Sequence, residues 1–280
     1  MFITRFAPSP TGRLHLGHAA SALAVWQAAR TAGGQFLLRI EDIDQPRCRP
    51  EYEAAIIEDL RWLGLSWPAP ARRQSDHFDD YRAALARLEA RGLLYPCFCT
   101  RADIRREIKA SPGAGGGPDG PLYPGTCRNL TSGESRRRQQ AGQPFALRLN
   151  SAKARATISN PLSWHEETVG TVTARPELLG DAVLARRDIP ASYHLAVTVD
   201  DHLQGITHVI RGNDLYHSTH LHRLLQALLG YRTPVYRHHP LLRDDDGLKL
   251  SKRDGARSLA ELRRNGASPA EIRRLCHLDD

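Results

Sequence analysis

The chain has 280 residues, 41% hydrophobic and 25% charged, which suits a globular protein with one large core, or a core plus a small inserted module. There is no run of about 18 apolar residues, and His15, Gly17 and His18 break the apolar stretch after Leu14, so neither a membrane span nor a signal peptide is expected. A net charge of +8, from 39 basic and 31 acidic residues, favours a polyanionic partner, although so modest a balance also fits plain solubility.

The first predicted element is a short strand at Phe2–Phe6, where β-forming residues alternate. Pro8, Pro10 and Gly12 then force a turn. His18 to Arg30 carries a strong helix pattern closed by Gly33-Gly34, and Gln35 to Ile40 reads as a second, buried strand. Strand, turn, helix and strand make a βαβ unit, whose turn offers backbone N–H groups to a phosphate at a helix N-terminus. The turn also carries His15-Leu16-Gly17-His18. Two imidazoles there can donate hydrogen bonds to phosphate oxygens, and Gly17 lets a ligand approach the backbone. By itself, H-x-G-H fits an ordinary helix start with two surface histidines equally well.

The second strand ends at Arg39-Ile40-Glu41-Asp42-Ile43-Asp44, which places acids where an open parallel sheet binds ligands. Pro50 opens an amphipathic helix to Leu63, with Tyr52, Ile56, Leu60 and Leu63 on one side. Ser75 is the expected cap of a further helix ending at Gly92. A distinct module begins at Leu94. Its Ser111–Pro121 stretch is too rich in Gly and Pro for a helix or strand, and a mobile loop is expected there.

Five cysteines, an odd number, and no leader point to a reducing cytosol, and hence to metal ligands or free thiols. Cys97, Cys99, Tyr123 and Cys127 can supply three thiolates and a phenolate to a tetrahedral Zn²⁺, and free thiols remain the alternative. Cys48 and Cys276 read as bystanders. Residues 101–140 hold eight Lys/Arg against four Asp/Glu, densest at Arg136-Arg137-Arg138, which suits either an RNA backbone or a solvated helix face.

Pro144–Asn150, Ala182–Arg187 and Tyr193–Val199 read as strands that return the chain to the central sheet, the last of them delivering Tyr193 and then Asp200-Asp201. Gly205–Arg211 is the next strand, and Arg211 at its end can clamp a carboxylate. A helix at Ser218–Leu229 closes on Gly230. The histidines at 217, 220, 222, 238 and 239 lack a carboxylate or thiolate set, and a second metal is not expected. An acidic turn, Asp244-Asp245-Asp246-Gly247, precedes Lys249-Leu250-Ser251-Lys252-Arg253, a basic loop suited to closing over a triphosphate. Two short helices follow with capping boxes, Ser258 with Glu261 and Ser268 with Glu271.

RFAPSPTGRLHLGHA, LLRIEDIDQPR, YHLAVTVDDHLQGITHVIRGNDL and LKLSKRDGA, in that order over nearly the whole chain, resemble the catalytic half of a glutamyl-tRNA synthetase, a class I aminoacyl-tRNA synthetase. The resemblance implies an α/β fold with a Rossmann-like parallel sheet, a small zinc-bearing insertion and short C-terminal helices. It divides the chain into 1–93 and 141–240 as the two catalytic halves, 94–140 as the inserted module, and 241–280 as the KLSKR loop and C-terminal helices.

It also implies that His15, His18, Lys249 and Lys252 are catalytic, and that Pro8, Gly17 and Ser251 join His15, His18 and Lys252 around ATP. Arg5, Ala7, Ser9, Glu41, Tyr193 and Arg211 would hold L-glutamate, with Mg²⁺ accompanying ATP. Charge logic agrees, since two arginines suit the extra carboxylate and Glu41 suits the ammonium. The sequence departs from the family at Val197, where an asparagine is usual, which weakens any contact carried over to that position and bears on whether activation depends on tRNA.

The chain stops 27 residues after Arg253 (280 − 253), with no counterpart of an anticodon-binding half. A short, zinc-bearing chain of this type resembles the glutamyl-queuosine tRNA(Asp) synthetases. The expectation is therefore a cytoplasmic, monomeric ligase that activates glutamate without tRNA and transfers it to queuosine in tRNA(Asp). A discrete unit charging a tRNA 3′ end and a non-catalytic RNA-binding paralogue remain alternatives.

Overall fold

The computed structural model describes residues 1–110, 116–118, 120–242 and 257–276. Strand β1 (Ile3–Phe6), helix α1 (Leu16–Thr31) and strand β2 (Gln35–Ile40) form the expected βαβ unit, with β1 and β2 parallel from Ile3↔Gln35 to Phe6↔Leu38. Gly34 lets the chain re-enter the sheet, because a Cβ there would collide with the Phe2 carbonyl. Helix α2 (Pro50–Trp62) buries Ile56 and Leu60 and is followed by buried Leu63, with Tyr52 only half-buried. Strand β3 (Arg72–Arg73) adds to β2 in parallel, and helix α3 (Phe78–Ala90) follows.

Ser75 does not cap α3. Its N–H and hydroxyl donate to the Asp42 carboxylate at 2.8 and 2.6 Å, which ties this crossover to the loop after β2.

Strand β4 (Leu94–Cys97), helix α4 (Arg101–Ala110), the short antiparallel pair β5 (Gly116–Gly117) and β6 (Gly120–Pro121), and helix α5 (Ser132–Gln140) come next. The β5–β6 pairing corrects the expectation that the Gly/Pro-rich stretch holds no strand. Residues 111–115 and 119 lie outside the described residues. Strand β7 (Ala146–Leu149), helix α6 (Ser151–Ala156), the hairpin β8 (Ser163–Glu166) and β9 (Gly170–Thr173), and strand β10 (Val183–Arg186) complete the middle of the chain. The stretches expected to rejoin the central sheet at Pro144–Asn150 and Ala182–Arg187 instead form a separate antiparallel sheet, ordered β10-β7-β4.

The third expected strand is a helix, α7 (Tyr193–Leu203). The β-branched Val197-Thr198-Val199 suggests a strand, but Ser192 caps the helix by accepting the Leu195 N–H, and Thr198 returns its hydroxyl to the His194 carbonyl at 2.8 Å. Leu195 to Asp201 are all buried, so packing on every side overrides the propensity.

Strand β11 (His208–Gly212), helix α8 (Ser218–Leu229) closed by left-handed Gly230, and strand β12 (Val235–His239) form a second parallel crossover. Thr207 joins the two halves, its N–H donating to the Ile3 carbonyl and its hydroxyl accepting the Ile3 N–H. From β1 the sheet thus grows one way through β2 and β3, and from β11 the other way through β12 and β8. This is a topological switch point, the usual ligand position in open α/β sheets.

Helices α9 (Leu259–Arg264) and α10 (Pro269–Leu275) carry both expected capping boxes. One core cluster lies around α1, β2, α2 and α9, and a second around α3, α7 and α8. No helix among the described residues is long and apolar enough to cross a membrane.

Asp59 on α2 is buried, and neither of its carboxylate oxygens has a hydrogen-bond partner among the described residues. Arg263 of α9 stands 4.0 Å away. Burial raises its pKa to about 6, with Arg263 only partly opposing. The folded state then binds a proton that the unfolded chain releases near pH 4, so the associated stability is present below that pH and lost as pH rises through about 6. Asp59→Asn should therefore raise the stability at pH 8 by on the order of 2–3 kcal/mol and change it little near pH 4, as read from urea unfolding at both pH values.

Candidate active site

The C-terminal ends of β1, β2, β11 and β12 surround a cavity of about 570 Å³. Its wall gathers Arg5, Ala7, Pro8 and Ser9 from the end of β1, His15, Gly17 and His18 from the start of α1, and Glu41, Tyr193 and Arg211. Every described residue expected at the ATP and amino-acid sites meets here. Lys249, Ser251 and Lys252 lie outside the described residues. The chain resumes next to the cavity, with Ser258 bridging antiparallel to His15 and the Leu259 N–H donating to the Leu14 carbonyl at 2.8 Å.

The two histidines cap α1 reciprocally. His15 Nδ1 accepts the Gly17 N–H at 3.1 Å, and His18 Nδ1 accepts the His15 N–H at 3.3 Å. A backbone N–H only donates, so both rings carry hydrogen on Nε2. The helix start thereby fixes both tautomers, with the N–H of each ring on Nε2.

Arg5 Nε and Nη2 donate to Asp201 at 2.8 and 3.3 Å, which leaves Nη1 without a hydrogen-bond partner among the described residues. Arg39, wholly buried in β2, donates to Asp201 at 2.8 Å, to Gln204 at 3.0 Å and to Glu41 at 3.2 Å. Asp200 accepts from Arg72, Gln74 and Tyr81. Burial opposes the charge on Asp201, but Arg5 and Arg39 outweigh it and hold the carboxyl below its usual range. For Glu41, burial prevails over both arginines and raises the pKa. The sequence reading missed Arg39, although an arginine inside the apolar run QFLLRI is a visible signal.

Arg211 is buried at the end of β11, with its guanidinium bonded to Tyr193, Thr219, His222, His238 and the Leu215 carbonyl. Val197 is also buried. Cys48, expected to be a bystander, lies with its Sγ 4.0 Å from Ser9 Oγ at the edge of the site.

A second cavity of about 770 Å³ shares Ser9, Glu41 and Tyr193 with the first, and reaches Cys99, Tyr123 and Arg148. Here Cys97, Cys99 and Cys127 bring their Sγ atoms within 4.8 Å of one another. Tyr123 Oη lies 3.5 Å from Cys99 Sγ and accepts the Cys127 N–H at 2.9 Å, while Arg148 covers its ring at 3.9 Å. Burial raises the pKa of both Cys99 and Tyr123, so their anions need a cation to persist. The donor set and spacing fit a tetrahedral divalent metal, whose Zn–S bonds of about 2.3 Å put neighbouring sulfurs roughly 3.8 Å apart. Among the histidines considered for a second metal, His222 and His238 bond Arg211, His220 accepts the Arg175 N–H, and His239 meets Ser21.

The family described as tRNA synthetases class I (E and Q), catalytic domain, matches residues 1–278. A Glutamyl-Q tRNA(Asp) synthetase of Rhodobacter capsulatus is 51% identical, covering 99% of this chain and 100% of that protein. A Glutamate--tRNA ligase of Aquifex aeolicus is 41% identical over 96% of this chain but only 55% of its own length. The crystal structure of glutamate-tRNA synthetase from Elizabethkingia anophelis superposes with a TM-score of 0.81 at 30% identity, covering 98% of this chain and 61% of that one.

Cys99→Ala should lower bound metal from about one zinc per chain towards none by elemental analysis, and unchanged zinc would remove the site. Glu41 can attract an ammonium group only when ionised, and its raised pKa moves that requirement upward. The KM for an amino-acid substrate should therefore rise on acidification from a pH above the ordinary glutamate value of about 4.3, as read from a pH series of initial rates.

Proposed function

The chain belongs to the class I tRNA synthetases of the glutamate and glutamine type, and from that premise we propose that it activates L-glutamate with ATP and transfers it to queuosine in tRNA(Asp). The observation that carries the reading is the convergence of Arg5, Glu41, Tyr193 and Arg211 with His15 and His18 on one cavity at the sheet's switch point. Support for the acceptor comes from the Rhodobacter relative, which bears that activity in its name and is matched along its whole length.

In the first step the α-carboxylate oxygen of glutamate attacks the α-phosphorus of ATP, and the bond to pyrophosphate breaks. Negative charge builds on the phosphate oxygens, and the Nε2–H groups of His15 and His18 are preset donors for it. Lys249 and Lys252, with Ser251, are assigned to the same triphosphate. Mg²⁺ would accompany ATP and help to neutralise its phosphates. Glu41 receives the substrate ammonium, Arg5 and Arg211 receive carboxylate, and Pro8, Ala7, Ser9 and Gly17 shape the wall.

In the second step a hydroxyl of the RNA attacks the carbonyl of the mixed anhydride and AMP leaves. The larger cavity, bordered by Arg148, Tyr123 and Cys99, offers the approach for that nucleoside. Zinc held by Cys97, Cys99, Tyr123 and Cys127 would be structural, bracing one wall of this approach. We read 94–140 as the module carrying it, between catalytic halves 1–93 and 141–240, with 241–280 as the KLSKR loop and C-terminal helices. The exposed Arg136-Arg137-Arg138 on α5 suits an RNA backbone. The enzyme is proposed to work in the cytoplasm as a single chain, forming the adenylate without tRNA.

Pyrophosphate exchange should proceed with glutamate and ATP alone, and nuclease mapping of labelled tRNA(Asp) should place the glutamate in the anticodon loop. Label on the 3′-terminal adenosine would instead identify a tRNA-charging enzyme, and RNA binding with no exchange under any condition would identify a non-catalytic binder.

A further inference from the structure

Arg211 differs from Arg5 in what satisfies it. Arg5 pairs with a carboxylate, whereas none of Arg211's hydrogen-bond partners among the described residues is one. Its Nε donates to His238 Nε2 at 3.1 Å. Its Nη2 donates to Thr219 Oγ1 at 2.7 Å and the Leu215 carbonyl at 3.1 Å, and its Nη1 meets Tyr193 Oη at 3.2 Å and His222 Nδ1 at 3.3 Å. Five N–H groups thus meet five neutral acceptors.

A guanidinium has no lone pair to offer, so each imidazole nitrogen facing it must be an unprotonated acceptor. His238 then carries its hydrogen on Nδ1, where Glu166 Oε2 receives it at 2.7 Å, and the other Glu166 oxygen accepts the His238 backbone N–H at 2.9 Å. His222 likewise carries its hydrogen on Nε2, directed at His194 Nδ1 at 3.1 Å. Burial and the adjacent guanidinium disfavour protonation of His194, His222 and His238 alike.

Glu166 is buried and is the carboxylate nearest in this chain of bonds, yet an imidazole ring separates it from the cation. A direct Glu166–Arg211 pair would cancel the charge and occupy the fork of donors. The spacer orients the guanidinium through Nε while leaving its charge uncancelled for an anion from the cavity. Nη1 carries the two longest of the five contacts and has most to gain from such an anion.

We propose that the Glu166–His238 pair, with His222–His194 on the opposite side, is a positioning device that keeps Arg211 oriented and electrostatically unneutralised, and thereby sets the preference for an anionic amino-acid side chain over its amide. This inference rests on the reading of Arg211 as a glutamate ligand.

The test compares His238→Gln, whose amide oxygen can still accept from Arg211 and whose N–H₂ can still reach Glu166, with the double variant Glu166→Gln/His238→Leu, which removes the acceptor without leaving a buried unpaired carboxylate. Pyrophosphate exchange is measured with glutamate and with glutamine, and the KM for ATP is followed in parallel. The double variant should raise the KM for glutamate about tenfold or more and narrow the glutamate-to-glutamine ratio, with kcat and the ATP KM nearly unchanged, whereas His238→Gln should stay within about threefold of the parent.

If the double variant does not fold, ¹⁵N NMR of the imidazoles in the parent protein decides, since hydrogen on Nε2 of His238 would overturn the proposal. A glutamate KM moved less than twofold, or an ATP KM moved equally, would overturn the device while leaving glutamate activation intact. Absence of exchange in the parent protein would overturn the underlying reading, and the device with it.

Discussion

The carboxylate of Asp201, at the C-terminal end of α7, accepts hydrogen bonds from Arg5 in β1 and Arg39 in β2. Three segments far apart in sequence meet at this one group, and the end of the cavity lined by Arg5 and Glu41 is built around it. A helix C-terminus is a poor place for two adjacent acids, because the unsatisfied carbonyls there already carry negative potential. Asp200 and Asp201 are tolerated because Arg5, Arg39 and Arg72 face them, so that each buried charge has a partner in the folded chain. Removing one member of such a cluster leaves a buried charge uncompensated, at a cost of about 3–5 kcal/mol. The cluster therefore sets both the packing of α7 against the sheet and the direction of Arg5.

That arrangement distributes charge unevenly, and the unevenness is chemically useful. Glu41 sits beside Arg39 at one end, suited to an ammonium group. Arg5 is half satisfied by Asp201, and among the described residues Arg211 is hydrogen-bonded only to neutral groups. A ligand with one cationic and two anionic groups finds complementary potential, whereas an amide in place of the second carboxylate would leave the Arg211 charge uncompensated.

The end of the cavity lined by His15, Gly17 and His18 follows a different logic, in which backbone geometry does most of the positioning. The HLGH turn is a helix start whose caps are the histidines themselves, so folding α1 and setting two imidazole tautomers are one event. Ser258 and Leu259 attach the C-terminal helices to the same turn. The link fixes residues 258 and 259, where the described chain resumes, against the turn that carries both histidines.

Local signals carried much of this molecule. The βαβ unit, the Gly230 stop, the Ser258 and Ser268 capping boxes and the cysteine spacing were all legible, because each depends on residues within a few positions of one another. So were the cavity residues Arg5, Glu41, Tyr193 and Arg211, through motifs long enough to be specific. What escaped were features decided by distant partners. Val197-Thr198-Val199 has strand propensity and yet lies in a helix, because burial on all sides outweighed a preference worth well under a kilocalorie per residue. Pro144–Asn150 and Ala182–Arg187 are strands of a second sheet, since period-2 alternation identifies a strand without identifying its neighbour. Asp201 acquires its role from arginines 196 and 162 residues away, and His238 from a glutamate 72 residues away. Residue type and spacing determined which chemistry the chain could carry. Long-range electrostatic pairing, which only the folded chain creates, decided which groups were free to perform it.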